Sequence, residues 1–143
     1  MARIVIAEDE AHLGNLLKAW LARSGHEVVV TTDGGAALAA LAARPVEILI
    51  TDIRMPGMNG VELARLALHT YPTLRRVFVI TAWFDQQEVL DRLPDPRVRV
   101  FRKPFSPSQL LRECDWVAAA AHDPPAPGVP AYAADPGPDG DAT

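Results

Sequence analysis

The sequence predicts an α/β domain: a doubly wound parallel sheet of five βα units, with helices on both faces in a three-layer sandwich. Two observations predict it. Five short apolar, β-branched runs are continuous rather than alternating, as in strands covered on both faces. Between them lie stretches with helical periodicity, and strict βα alternation implies a parallel sheet with right-handed crossovers.

The elements follow in order. Ile4-Val5-Ile6-Ala7 is the first strand. Leu13, Leu16, Leu17, Trp20 and Leu21 then recur at helical spacing, which predicts one core-facing stripe and places Trp20 in the core. Gly25 is the stop signal. Val28-Val29-Val30 is the second strand, and Asp33 caps an alanine-rich helix ending near Pro45. Gly34-Gly35 is too short for a phosphate-binding loop and reads as turn and helix entry. Ile48-Leu49-Ile50 precedes a third helix over residues 59–71, closed by Pro72. Val77-Phe78-Val79-Ile80 is the fourth strand, and Asp85-x-x-Glu88 resembles a capping box for a short fourth helix. Residues 98–101 form a weaker fifth strand. Ser106-Pro107 sets a cap residue before a proline at the first helical position. Leu110, Cys114, Val117 and Ala118 then share one face, with Leu110 and Leu111 as expected core. Trp83 and Trp116 sit on no clear stripe.

A chain of 143 residues, 49% of them apolar, suits one domain with a real core. Composition turns to proline, glycine and alanine near Asp123, so the folded unit is read as residues 1–122 and residues 123–143 as a disordered tail. A net charge of −4, from 14 basic and 18 acidic residues, offers no footprint for nucleic acid or an anionic membrane. The lone Cys114 fits reducing surroundings. With no signal peptide and no apolar run of transmembrane length, the protein is expected in the cytoplasm. His12, His26, His69 and His122 lack ligand spacing and are expected at the surface or at helix ends.

In such folds ligands lie beyond the carboxyl ends of the strands. Glu8-Asp9-Glu10 follows the first strand, Asp52 the third, Thr81 ends the fourth and Lys103 follows the fifth. Each alone has an ordinary explanation: helix-dipole charge, a turn former, a strand residue, an edge-strand lysine. Together, at four strand ends, they predict an acidic pocket facing one lysine. Clustered carboxylates repel one another, and Mg²⁺ is the natural remedy. A carboxylate can also serve as a nucleophile toward phosphorus, with Lys103 and Mg²⁺ offsetting the phosphoryl charge and Thr81 donating to one of its oxygens.

Asp9, the run Asp52-Ile53-Arg54-Met55-Pro56-Gly57-Met58-Asn59-Gly60, Thr81-Ala82 and Lys103-Pro104-Phe105 together resemble the hallmark set of response-regulator receiver domains of bacterial two-component systems. The likeness covers residues 3–121. It implies a flavodoxin-like sheet of order 2-1-3-4-5 and a cis Lys103–Pro104 bond. It implies Asp52 as phospho-acceptor, Thr81 as switch hydroxyl and Lys103 as phosphoryl contact. Glu8 and Asp9 match the Mg²⁺-binding acids, and Arg54 the position whose backbone carbonyl completes the metal site alongside Asp52. The implied phosphoryl donor is a histidine kinase or a histidine phosphotransfer protein.

Two positions depart from the pattern or flank the site. Val100 stands where many relatives carry an aromatic three residues before the lysine, and Phe101 points to the opposite face, which removes the usual basis for aromatic–threonine coupling. Arg54 and Trp83 flank the site and are expected to slow hydrolysis of a phosphorylated form.

No output domain is expected after the fold. The protein should act by binding a partner or by passing its phosphoryl group onward, as a monomer or weak homodimer, catalysing only its own phosphorylation and dephosphorylation. The alternative is a docking module that works without phosphorylation. A flavin binder would want a Gly/Ser/Thr-rich loop where Glu8-Asp9-Glu10 stands. A haloacid-dehalogenase-type phosphatase would want an acid where Arg54 stands.

Overall fold

In the computed structural model, which describes residues 1–82 and 86–119, five strands alternate with five helices. They are β1 (Arg3–Ala7), α1 (Ala11–Arg23), β2 (Glu27–Thr31), α2 (Gly34–Ala43), β3 (Ile48–Asp52), α3 (Gly60–Thr70), β4 (Arg76–Thr81), α4 (Gln86–Arg92), β5 (Val98–Arg102) and α5 (Pro107–Ala119). All strand pairs are parallel and the order is β2-β1-β3-β4-β5. This is the doubly wound, flavodoxin-like arrangement that the residue pattern and the receiver likeness implied.

Strand alternation divides the core. Val5, Leu49, Val77 and Val79 face Ala37 and Leu41 of α2, Leu63 and Ala64 of α3 and Val89 of α4. Ile4, Ile6, Ile48, Ile50, Phe78 and Ile80 face Leu17 and Leu21 of α1 and Leu110, Cys114 and Val117 of α5. Both faces of β3 and β4 are buried along their whole length, which explains their unbroken apolar runs.

The helix boundaries have the expected local causes. Asp33 accepts from Ala36 N–H at 2.7 Å and Asn59 from Glu62 N–H at 2.9 Å, each satisfying a free donor of a first turn. Ser106 Oγ accepts from Gln109 N–H at 3.2 Å, and Gly25 follows α1 at φ +94°. The Lys103–Pro104 bond is cis.

Four side chains lie elsewhere than the sequence predicts. Trp20 is 38% exposed and Leu16 46%. The buried stripe of α1 is Gly14, Leu17 and Leu21 instead. A Cβ at Gly14 would stand 3.0 Å from Val30 Cγ1, so α1 settles onto β2 at its glycine and turns the Leu16–Trp20 side outward. His26 is buried, not at the surface. Its Nδ1 accepts from Ala2 N–H at 3.1 Å, so the proton sits on Nε2, 2.7 Å from Asp115 Oδ1. Leu111 is only half-buried, and the Arg76 guanidinium lies 5.3 Å over the Trp116 ring. Trp83, the Asp85 half of the capping box, His122 and the tail expected from residue 123 lie outside the described residues. Among the described residues, no helix is long and apolar enough to cross a membrane.

Candidate functional site

The site lies where the strand ends meet. Asp52 closes β3, the central strand, and is 7% exposed. Its Oδ1 accepts from the N–H of Ile53 at 2.8 Å, and its Oδ2 lies 3.0 Å from Lys103 Nζ. Carboxylate oxygens from Glu8, Asp9 and Asp52 all lie within 4.8 Å of one another. The topology forces this meeting, because β1 and β5 flank the β3–β4 pair and all strands run the same way.

Lys103 belongs to the loop after β5. Its own N–H donates to the Thr81 carbonyl at 2.7 Å, which seats it at the end of β4. Thr81 is buried, and its hydroxyl donates to the Ala82 carbonyl at 3.0 Å. Arg54, two residues beyond Asp52, stands on the rim of an adjoining cleft of about 550 Å³, shared with Asp9, Met55, Glu88, Val89 and Arg92. The sequence pointed to Glu8, Asp9, Asp52, Arg54, Thr81 and Lys103: the structure brings the carboxylates of Glu8, Asp9 and Asp52 together with Lys103, seats Thr81 against the Lys103 N–H, and sets Arg54 on the lining of the adjoining cleft. Val100 and Phe101 lie on opposite faces of β5, Phe101 against Phe78 and Phe105 and Val100 toward the α2–α4 side.

The electrostatics are those of crowded acids beside the Lys103 ammonium. Burial pushes the Glu8 carboxyl up to about 7. The Glu10 N–H, donating to Glu8 Oε2 at 3.1 Å, opposes that rise, while the charge of Asp52 adds to it. Burial works to lower the Lys103 ammonium. The hydrogen bond and charge of Asp52, with the charges of Glu8 and Asp9, outweigh it and hold Lys103 above its ordinary value.

These residues fit a hard divalent cation. Glu8 is only 2% exposed, and its Oε1 is buried with no hydrogen-bond partner among the described residues. A buried carboxylate oxygen left unsatisfied beside two more carboxylates is the donor set that Mg²⁺ takes.

Two features of the site escaped the sequence. The Thr51 hydroxyl donates to the Asp52 carbonyl at 2.8 Å, and Gly60 packs directly on that same carbonyl. Gly60 was visible as part of the motif run, but nothing in the sequence said which atom it approaches. Thr51 carried no signal beyond adjacency to Asp52.

The profile of the response regulator receiver domain family matches residues 4–115. The response regulator receiver protein CpdR of Brucella abortus is 34% identical over 122 residues, covering 85% of this chain and 100% of that protein. The response regulator protein FleR of Pseudomonas aeruginosa is 32% identical over 110 residues, 77% of this chain but 23% of FleR. The chain thus spans all of CpdR and about a quarter of FleR. Among solved structures, the receiver domain of a Francisella response regulator superposes with a TM-score of 0.73 at 18% identity, over 85% of this chain and 99% of that one.

Proposed function

The chain belongs to the response regulator receiver family, and from that premise we propose that it is a phosphoryl-accepting switch with Asp52 as the acceptor. The observation that carries the reading is the Asp52–Lys103 contact of 3.0 Å inside the cluster formed with Glu8 and Asp9.

A carboxylate oxygen of Asp52 attacks the phosphorus of a phosphohistidine on a histidine kinase or phosphotransfer protein. The new bond is O–P and the broken bond is N–P. The departing imidazole nitrogen takes a proton from solvent and leaves neutral, and Asp52 becomes an acyl phosphate. Glu8, Asp9, Asp52 and the Arg54 backbone carbonyl would hold Mg²⁺, which when bound supplies positive charge for the phosphoryl oxygens. Lys103, already beside Asp52, follows the incoming charge and keeps its proton throughout, its ammonium being held above its ordinary value. The Thr81 hydroxyl rotates from the Ala82 carbonyl toward a phosphoryl oxygen. Because Thr81 ends β4, its movement biases a pre-existing conformational equilibrium.

The protein is not a turnover enzyme in this reading, because its chemistry is confined to its own acceptor. It acts in the cytoplasm, either by binding a protein partner or by passing the phosphoryl group along a relay. Treatment with acetyl phosphate and Mg²⁺, followed by intact-mass measurement, tests it. The wild type gains the mass of one phosphoryl group and Asp52→Asn gains none. No gain in the wild type would leave a docking module that works without phosphorylation.

A further inference from the structure

We propose that Thr51 and Gly60 are positioning residues for phosphoryl acceptance, acting together on the backbone carbonyl of Asp52; this inference rests on the assignment of Asp52 as acceptor. The Thr51 hydroxyl, wholly buried, donates to the Asp52 carbonyl oxygen at 2.8 Å. The first residue of α3 closes on the same group, and a Cβ on Gly60 would stand 1.9 Å from that oxygen and 2.8 Å from its carbon. The Gly60 N–H donates to the Ile53 carbonyl at 2.8 Å and holds the approach in place.

The glycine here serves closeness, not an unusual dihedral. Gly57, in the same loop, has φ +76° and nothing within 4 Å of its would-be Cβ. Gly60 has no positive φ and the tightest contact of any described glycine.

One peptide plane connects this clamp to the carboxylate. The Asp52 carbonyl and the Ile53 N–H belong to the same planar unit. Thr51 and Gly60 hold its oxygen, and its N–H binds Asp52 Oδ1 at 2.8 Å. Tilting the plane swings that N–H off Oδ1 and carries Oδ2 away from Lys103. In-line transfer tolerates little such displacement, since misplacement by about 1 Å can cost on the order of 100-fold in rate. A purely structural role for the Thr51 hydroxyl would be to satisfy itself in the core. That role predicts a lower melting temperature and no movement of the acceptor.

The test compares wild type with Thr51→Val, Thr51→Ser, Gly60→Ala and Ala67→Gly, the last weakening α3 away from Asp52. Three measurements are made on each: the initial rate of mass gain with acetyl phosphate and Mg²⁺, thermal melting, and the Ile53 amide cross-peak in a heteronuclear spectrum. Gly60→Ala is expected to slow acceptance about 100-fold and Thr51→Val about tenfold, both with a displaced Ile53 peak. Thr51→Ser restores the hydroxyl, the rate and the peak. Ala67→Gly melts lower with its rate and peak in place. Wild-type rates in Thr51→Val and Gly60→Ala, or an equal loss of rate in Ala67→Gly, would overturn the proposal. Should Gly60→Ala fail to fold, the Thr51 pair decides. If the wild type itself gains no mass, the acceptor assignment falls. The Ile53 peak then judges the clamp alone: it must move in Thr51→Val and stay in Thr51→Ser.

Discussion

Lys103 Nζ and Asp52 Oδ2 stand 3.0 Å apart although 51 positions separate them in the chain, so the cation is already paired with the proposed acceptor in the unphosphorylated protein. The Lys103 side chain is 40% exposed, which leaves it room to follow an incoming anion while staying in contact.

Replacing Lys103 with alanine removes the ammonium from the acidic cluster. The phosphorylation rate with acetyl phosphate and Mg²⁺ is expected to fall about 100-fold, as when one preorganised donor to developing charge is lost. Timed intact-mass measurement reads the effect. A loss of less than about threefold would be too small for a group that stabilises the transferring phosphoryl.

Glu8 makes stability depend on pH in a definite direction. Its carboxyl is raised from 4.5 to about 7 in the fold, so between those values the native state binds more protons than the unfolded chain. Stability therefore falls as pH rises through that window. Mg²⁺ binds the ionised carboxylates and competes with the proton, so its stabilising effect should be larger at about pH 8 than at about pH 5.5. Thermal melting with and without Mg²⁺ checks this, and Glu8→Gln should flatten the pH dependence of the metal-free protein. The raised Lys103 acts at the other end. Its contribution is present below the ordinary lysine value and is lost as pH climbs through the higher folded value.

The rim of the site should set the lifetime of the phosphorylated state. Arg54 stands with Asp9 at the adjoining cleft, and Trp83 follows β4 by two positions. The Arg54→Ala, Trp83→Ala double variant is expected to lose its phosphoryl group several-fold faster than wild type once donor is removed. An unchanged decay, followed by mass, would show that neither side chain hinders the attacking water.

The tie between β5 and α5 carries stability rather than chemistry. Glu113 is buried, and its Oε1 accepts from Arg99 Nε at 2.7 Å while its Oε2 meets Arg99 Nη2. Glu113→Ala leaves the half-buried Arg99 guanidinium without that partner and should cost about 3 kcal/mol in urea unfolding. Phosphorylation at saturating donor should be retained.

Much of the site was legible because each of its pieces abuts an apolar run. Glu8 and Asp9 follow Ile4-Val5-Ile6-Ala7, Asp52 ends the run begun by Ile48, and Lys103 follows Phe101 and Arg102. A strand can be recognised locally, and its end marks where chemistry gathers in a parallel sheet. The His26–Asp115 pair shows where legibility stops. Its partners are 89 positions apart, and neither has a local pattern to announce the other. Trp20 marks a subtler limit. Helical spacing placed it on an apolar stripe, but which edge of the stripe is buried was settled by the close seat of Gly14 against Val30.

By itself the sequence determined which residue types stand at each strand end, the order of strands and helices along the chain, and the capped starts of α2 and α5. These are properties of short windows, set by side-chain periodicity, turn chemistry and hydrogen-bonding reach. Only the tertiary structure decided which oxygen of Asp52 meets Ile53 and which meets Lys103, that the Thr51 hydroxyl and Gly60 both close on the Asp52 carbonyl, and that Glu8 Oε1 is buried without a hydrogen-bond partner among the described residues. Those are distances between atoms on separate elements, and they exist only once five strands share one sheet and the helices have closed over both faces.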